Sequence, residues 1–213
     1  MVNTPGSARR EAASSMRARL IEAAIGQLAD EGMRGLTHRR VEQRAHVSQG
    51  LVKYHFGCLD GLIDAVVGHM ADVEIDAVMH VTPAQQAEAA ATGTVPDAVW
   101  AAAREAWSAA MARPELVRAR FELYLHAGRH PALQDAIRRG RERFIEATAA
   151  SLPSDDPRAG ARMVLALVSG MLLHQISAPD PELDALAPTY LLATSAAAML
   201  FPLDADVSDP PSA

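Results

Sequence analysis

The stretch LTHRRVEQRAHVSQGLVKYHFGCLDGL, residues 36–62, decides the fold. Thr37 stands before a short run with helical spacing and is a good N-cap residue, so we predict a short helix that ends near Ala45. Val41 and Ala45 lie one turn apart and are expected to face the core. Residues 46–47 are expected to form a tight turn, after which a second helix begins.

The second short helix is predicted to start with Ser48 as its N-cap and to end near His55. Its polar face consists of Ser48, Gln49, Lys53, Tyr54 and His55. Two short helices joined by a tight turn are typical of a helix-turn-helix, whose second helix lies in the major groove of DNA. There an amide can hydrogen-bond a base edge, and a lysine can reach a guanine or a phosphate.

The charge distribution favours the same interpretation. The chain has a net charge of −6, but residues 1–60 hold nine basic side chains against six acidic ones. An asymmetry of this kind is typical of a segment that binds nucleic acid. Thr37, Arg39 and Arg40 flank the polar face and are expected to grip phosphates, contacts that position a protein without reading sequence. Arg44 has the same expected role.

Outside this stretch the pattern is helical throughout. Apolar residues form 49% of the chain and aromatic residues only 4%, which predicts an all-α fold of about nine helices. Residues 16–31 have the spacing of an amphipathic helix, and Gly32 is its expected stop. Further helices are predicted at 60–80, 96–112, 114–127, 131–151, 157–177 and 183–201, while residues 81–95 could be helix or loop.

The predicted organisation has four parts. The small and polar residues 1–15 are expected to form a disordered arm, and residues 16–60 a helix-turn-helix DNA-binding domain. A helical ligand-binding and dimerisation domain is predicted at 61–202. Residues 203–213 are expected to be an acidic, proline-bearing tail.

Several classes of protein are disfavoured. Cys58 is the only cysteine, which excludes an internal disulfide and every multi-cysteine metal site. The sequence lacks the common motifs of nucleotide, hydrolase and zinc-protease sites, so we expect no enzyme activity, no cofactor and no metal. No apolar run reaches the about 20 residues of a membrane span, and a secretory signal is unexpected, so the predicted location is the cytoplasm.

The sequence VSQGLVKYHF at residues 47–56, followed by DGL at 60–62, resembles the TetR family of transcriptional regulators. The motif follows one amphipathic helix and precedes an all-helical remainder, as it does in that family. The resemblance implies a bacterial regulator that is associated with the nucleoid when it is bound to double-stranded DNA. The positions that usually touch DNA in the family are occupied here by Thr37, Gln49, Gly50, Lys53, Tyr54 and His55.

Four positions depart from the family's pattern. Glu42 stands where alanine is common, and His46 stands where the turn usually has glycine. Leu59 replaces a lysine that usually anchors a phosphate, and Lys53 replaces a common tyrosine. The DNA affinity and the base preference are therefore expected to differ from those of other members.

The last two helices predict a homodimer. Residues 163–173 and 190–201 are apolar on every side, and such helices must be buried on every side. A twofold interface with two helices from each chain would bury them, and it would let two heads read a palindromic operator with half-sites about 34–36 Å apart. The expected interface consists of Leu165, Val168, Leu172, Leu192, Ser195, Ala196 and Met199. Membrane insertion is the rival explanation, and the short apolar run disfavours it.

A pocket for an unidentified small apolar or amphipathic effector is predicted in the helical domain. Its expected lining consists of Trp100, Arg104, Trp107, Met111, Phe121, Tyr124, Met163, Leu167, Met171 and His174. For each of these residues taken singly, plain core packing is the simpler interpretation. The resemblance implies that such a ligand changes the spacing of the two DNA-binding heads and releases the operator.

The favoured hypothesis is thus a ligand-responsive, dimeric repressor. The alternative is a helical small-molecule-binding protein or enzyme with a non-functional DNA-binding head. A third hypothesis is a DNA-architectural or protein-interaction module without a ligand. Sequence-specific DNA binding with a steep salt dependence separates the first hypothesis from the other two.

Overall fold

The computed structural model describes residues 5–78, 97–150, 152 and 156–200. All regular secondary structure in these ranges is helical, so the predicted all-α class is confirmed. The described residues form nine helices: α1 (Pro5–Gly35), α2 (His38–Arg44), α3 (Leu51–Phe56), α4 (Leu59–Val78), α5 (Asp97–Met111), α6 (Pro114–Ala127), α7 (Pro131–Ala149), α8 (Pro157–Ser177) and α9 (Pro181–Leu200).

Helix α1 differs from the prediction at its beginning. It starts at Pro5, so a disordered arm over residues 1–15 is wrong for the part that the structure describes. Proline is favoured at the first helical position, and the alanine-rich sequence that follows has a high helix propensity. Near the other end, Gly32 has the non-helical dihedrals φ 63° and ψ −167°. The predicted break at Gly32 is therefore present, although a last helical turn follows it.

The chain forms two compact units. The first comprises Met1–Val73 with Ala112–Arg141, and the second comprises Glu74–Met111 with Glu142–Ala213. The predicted domain boundary after residue 60 lies inside the first unit. The reason is that the first part of α4 packs against the helix-turn-helix through Leu62 and Val66, which are fully buried in the same core.

The core of the first unit joins α1, α2, α3, α4, α6 and the first part of α7. Its largest fully buried side chains are Leu20, Ile25, Leu28, Leu36, Val41, Val52, Leu62, Val66 and Leu123. Full burial of one such aliphatic side chain stabilises the folded state by about 1.5–3 kcal/mol. Each helix of the helix-turn-helix contributes one valine to this core, which holds two very short helices in a fixed orientation.

The second unit has its own smaller core. Phe144, Ile145 and Leu152 pack there against Ala161 and Leu165 of α8. Helix α8 starts as predicted, because the carboxylate of Asp156 accepts a hydrogen bond from the backbone N–H of Ala159 at 3.0 Å. Helix α9 packs against both α8 and α5.

Helix α8 is longer than the apolar run at residues 163–173. The short length of that run is the reason why the sequence disfavours a membrane span. Helix α8 extends over 21 residues with a mean hydropathy of 1.4 in its most apolar window, and one third of that window is buried in the chain. By length and composition alone, this helix among the described residues could cross a membrane. A core helix of a water-soluble protein meets the same criterion, so the observation is weak support for a membrane location.

Candidate nucleic-acid interface

Helix α2 begins as the sequence predicts. Thr37 has extended dihedrals (φ −133°, ψ 152°), and its Oγ1 accepts a hydrogen bond from the backbone N–H of Arg40 at 3.3 Å. The predicted N-cap is thus confirmed. At the other end, the N–H of Ala45 donates to the carbonyl oxygen of Val41 at 2.9 Å. Val41 is fully buried, while the side chains of Thr37 and Arg40 are exposed.

The turn after α2 contains a backbone conformation that favours glycine. His46 has a φ of 52°, the one positive value among the described residues other than glycine. Left-handed backbone costs an ordinary residue about 1–2 kcal/mol, and histidine tolerates it better than most. The turn is closed by two backbone hydrogen bonds. The N–H of His46 donates to the carbonyl oxygen of Gln43 at 3.1 Å, and the N–H of Val47 donates to the carbonyl oxygen of Glu42 at 3.0 Å.

Helix α3 does not begin where the sequence predicts. It starts at Leu51 with Gly50 as its N-cap (φ 93°), and no side chain at the cap position makes a hydrogen bond. The predicted Ser48 cap is therefore wrong. Ser48 and Gln49 lie in the exposed turn that precedes the helix.

The acceptor for the first turn of α3 comes from α2 instead. Oε1 of Glu42 accepts hydrogen bonds from the backbone N–H groups of Gly50 and Val52, both at 2.9 Å. The Glu42 side chain is only 3% exposed. A carboxylate at this place satisfies donors that a helix start leaves without an intrahelical partner. This contact gives the unusual residue at position 42 a structural role.

Helix α3 presents a polar face away from the core. Val52 is fully buried, whereas Ser48, Gln49, Gly50, Lys53 and Tyr54 are exposed and His55 is half-buried. We call this set the polar face of α3. Tyr54 is 77% exposed and meets the edge of the His55 ring, with the centroids 5.0 Å apart. An exposed aromatic side chain beside an amide and a lysine matches the chemistry of a base-reading surface.

Two of the arginines that flank the polar face have acidic partners within the chain. Arg40 forms an ion pair with Glu31, and Arg44 lies 2.7 Å from a carboxylate oxygen of Asp30. The Arg40 and Glu31 side chains are each about half exposed, and exposed pairs of this kind contribute about 0–1 kcal/mol. A DNA phosphate can therefore compete for these guanidinium groups. Arg39 is exposed on the same helix.

Two arginines of α1 have a structural role that the sequence analysis missed. Arg17 donates to the carbonyl oxygen of His55 at 2.5 Å and lies 4.4 Å from the centroid of the Phe56 ring. Arg19 donates to the carbonyl oxygen of Ala45 at 2.7 Å. Cations are favoured where helices end, and these two hold the ends of α3 and α2. Both arginines are included in the excess of basic side chains in residues 1–60, but that excess does not show which carbonyl groups they reach.

The junction between α3 and α4 is tight. Leu59 packs against the first unit's core, so its position cannot supply the phosphate anchor that is common in the family. A Cβ atom at Gly61 would overlap the carbonyl oxygen of Phe56. Glycine is therefore required where the first turn of α4 passes the end of α3.

The ten predicted pocket residues fall in both units. Phe121 and Tyr124 belong to the first unit, with ring centroids 5.9 Å apart, and Tyr124 accepts a hydrogen bond from Arg120 at 3.2 Å. In the second unit, Trp107 is buried and its indole N–H donates to Asp184 at 2.7 Å. The other seven are buried (Met171), half-buried (Trp100, Met111, Leu167) or exposed (Arg104, Met163, His174).

The predicted dimer residues differ in how far their own chain covers them. Leu165 and Leu172 are buried within the chain, and Val168 and Leu192 are half-buried. Ser195, Ala196 and Met199 lie outside the residues whose side chains the structure describes. Large apolar side chains are exposed on α8 and α9, namely Met163, Leu173, Leu186 and Tyr190. Met163, Leu173 and Tyr190 lie in the two apolar runs that the sequence singles out, and only Leu186 lies outside them.

Two family models match the chain in tandem. Residues 20–66 match the model for bacterial regulatory proteins of the tetR family. Residues 93–197 match the model for a tetracyclin repressor-like C-terminal domain. The first match includes the whole helix-turn-helix and the first part of α4.

A curated relative is similar over a short stretch. The HTH-type transcriptional regulator BetI of Burkholderia thailandensis is 41% identical over 54 residues, which is 25% of this chain and 28% of that protein. The chain therefore matches little more than a quarter of the length of this relative. A similarity over so short a stretch carries no information on the effector.

Solved structures are similar over most of the chain. A putative TetR-family transcriptional regulator from Mesorhizobium loti MAFF303099 has 19% sequence identity and a TM-score of 0.65, with 87% of this chain and 97% of that chain covered. At this identity the likeness shows the fold alone. The multidrug binding protein EbrR, complexed with proflavin, has 28% identity and a TM-score of 0.56, with 84% and 99% covered.

Proposed function

Since the chain belongs to the TetR family of bacterial transcriptional regulators, we propose that it is a repressor that binds a palindromic operator as a homodimer and is released by a small apolar or amphipathic ligand. The family is regulatory and binds DNA, and it is not a family of enzymes. Such a regulator works where the bacterial DNA is, in the cytoplasm.

The observation that carries this proposal is the two-sided character of α3. Its apolar side is anchored by the fully buried Val52, and its polar face is exposed. A helix with a fixed inner side, an exposed lysine on its other side and an exposed amide in the turn before it is suited to the major groove. In the proposal, Gln49 and Lys53 read bases, while Arg39 and Arg40 contact phosphates.

The proposed dimer rests on the exposed apolar side chains of the second unit. On α8, Leu173 is 45% exposed, and on α9, Tyr190 is 42% exposed. Burial of such groups against a second copy would remove them from water, and a twofold arrangement would present two α3 helices to the two halves of a palindrome.

The proposed ligand class rests on the similarity to EbrR, whose complex contains proflavin. Trp100, Trp107, Met111, Met163 and Met171, the aromatic and thioether side chains among the predicted pocket residues of the second unit, suit an apolar or amphipathic molecule. A ligand can release the operator only if it binds the released state more tightly than the DNA-bound state.

The central experiment measures DNA binding by fluorescence anisotropy. The chain is titrated against DNA from its own promoter and against random DNA of equal length, at several salt concentrations. We expect specific binding with a steep salt slope, and we expect Lys53→Ala and Gln49→Ala to weaken operator binding by about tenfold while random DNA is bound as before. Arg162→Ala, an exposed arginine of the second unit, is the control and should change neither value.

Two results would overturn the proposal. If the wild-type chain binds the promoter no better than random DNA, the head does not read sequence. If proflavin binds in that case, a small-molecule-binding protein with a non-functional head is the better interpretation. If the Lys53 and Gln49 variants keep full specificity, the polar face of α3 is not the reading surface.

A further inference from the structure

Helix α3 is too short to be stable by itself. It has six residues, and isolated helices shorter than about 12–15 residues are marginal in water. Its orientation must therefore be fixed by contacts with other elements. Val52 anchors the middle of the helix in the core, Leu51 and Phe56 pack partly against it, and the remaining contacts are at the ends of the helix.

The start of α3 is held by a single carboxylate. Oε1 of Glu42 accepts from Gly50 N–H and Val52 N–H at 2.9 Å each, and the side chain is 3% exposed. The two donors lie on either side of Leu51, so one oxygen atom fixes both the left-handed turn at Gly50 and the first turn of the helix. Hydrogen bonds to a charged acceptor are about twice as strong as neutral ones.

The same carboxylate has a cost for binding to DNA. A negative charge one helix away from the polar face repels phosphates, so Glu42 lowers rather than raises the affinity for nucleic acid in general. Its contribution must therefore be geometric. Because its hydrogen bonds go to backbone groups at the start of α3, its effect on base reading passes through the position of that helix.

We propose that Glu42 is a positioning residue that sets the sequence specificity of the polar face of α3, an inference that rests on the proposed DNA-binding function. Its Oε1 orients α3 so that Gln49 and Lys53 reach base edges. Phosphate contacts from α2 do not depend on this oxygen. Removal of the acceptor therefore lowers the ratio of specific to random affinity and leaves random affinity unchanged or raised.

The test compares three variants. Glu42→Met keeps the length of the side chain and removes the acceptor, and Glu42→Gln keeps the acceptor and removes the charge. Gln43→Met, at the exposed neighbouring position, is the control. We expect Glu42→Met to lose about tenfold or more in the ratio of operator to random affinity at constant salt, Glu42→Gln to keep most of it, and the control to equal the wild type.

A second measurement needs no DNA. Amide hydrogen exchange in the free protein should show protected Gly50 and Val52 in the wild type and in Glu42→Gln, and exchange about tenfold faster at both amides in Glu42→Met. If Glu42→Met fails to fold, Glu42→Ala takes its place, since alanine is common at this position in the family. It removes the same acceptor, and the expected loss of specificity and faster exchange at Gly50 and Val52 are those given for Glu42→Met.

The outcomes separate this inference from the proposed function. If the wild type does not discriminate between DNA sequences, the proposed function fails. The specificity role of Glu42 then fails with it, even if the exchange data show that Glu42 protects the Gly50 and Val52 amides. If the wild type is specific and Glu42→Met keeps both its specificity and its amide protection, the inference alone is overturned. It is also overturned if Glu42→Met and Glu42→Gln both lose specificity while Gly50 and Val52 stay protected.

Discussion

The helix-turn-helix and the α8–α9 pair differ in how far contacts within the chain satisfy their helices. In the helix-turn-helix, side chains of the same chain hold both ends of α3: Glu42 at the start and Arg17 at the end. In α8 and α9, large apolar side chains such as Leu173 and Tyr190 remain exposed. The first region is complete within one chain, and the second leaves apolar side chains that a second copy would cover in the proposed dimer.

The largest expected effect comes from the region that is incomplete. Leu173→Glu places a charge on the exposed apolar surface of α8, and we expect it to convert a dimer into monomers. Operator affinity should then fall by about 100-fold or more, because two linked heads gain at least this factor over independent ones. Sedimentation velocity measures the first effect and anisotropy the second.

Leu125→Glu is the matched control for this change. Leu125 is 81% exposed and belongs to the first unit. We expect this variant to remain dimeric and to bind the operator like the wild type. A dimeric Leu173→Glu variant would show that the dimer interface lies elsewhere, and the contrast between the two regions would lose its functional meaning.

A smaller effect is expected at the end of α3. Arg17→Gln removes the cation from the His55 carbonyl group and from the Phe56 ring, so operator affinity should fall by about threefold. The dependence of affinity on salt should stay unchanged, because Arg17 acts on the protein and releases no counterion. Arg39→Gln is the comparison variant, and its salt slope should decrease by about one. Equal decreases in both variants would show that Arg17 contacts phosphate.

The smallest effect is expected at Arg40, whose guanidinium group forms an ion pair with Glu31. Glu31→Gln frees Arg40 from its ion pair, and we expect the affinity for all DNA sequences to rise about two- to threefold with a steeper salt slope. Glu105→Gln makes the same charge change in the second unit and should have a smaller effect. An equal rise in both variants would mean that only the net charge matters.

Local signals in the sequence predicted the parts that local physics decides. The Thr37 cap, the break at Gly32 and the start of α8 at residue 157 each depend on residues a few positions apart. The Ser48 cap is wrong because the acceptor comes from Glu42, on the preceding helix. Contacts of this kind depend on how helices pack, and a sequence read position by position does not contain them.

The arginine contacts in the candidate site were not predicted for the same reason, since they also depend on how the helices pack. Arg17 reaches His55 across 38 positions, and the partners of Arg40 and Arg44 lie on α1. The prediction of an arm at residues 1–15 gave weight to Pro5 and Gly6 as breakers. Proline instead begins the helix, because the first position of a helix needs no backbone donor.

The contact at Gly61 has a consequence for how a signal could travel. A side chain there would separate α4 from the end of α3, and without one the backbone of α4 lies directly against the Phe56 carbonyl group. The close contact between α4 and the end of α3 leaves no space for a small rotation of one helix relative to the other. We therefore expect α3 to follow a tilt of the first turn of α4, so that a change in the direction of α4 alters the direction in which α3 points.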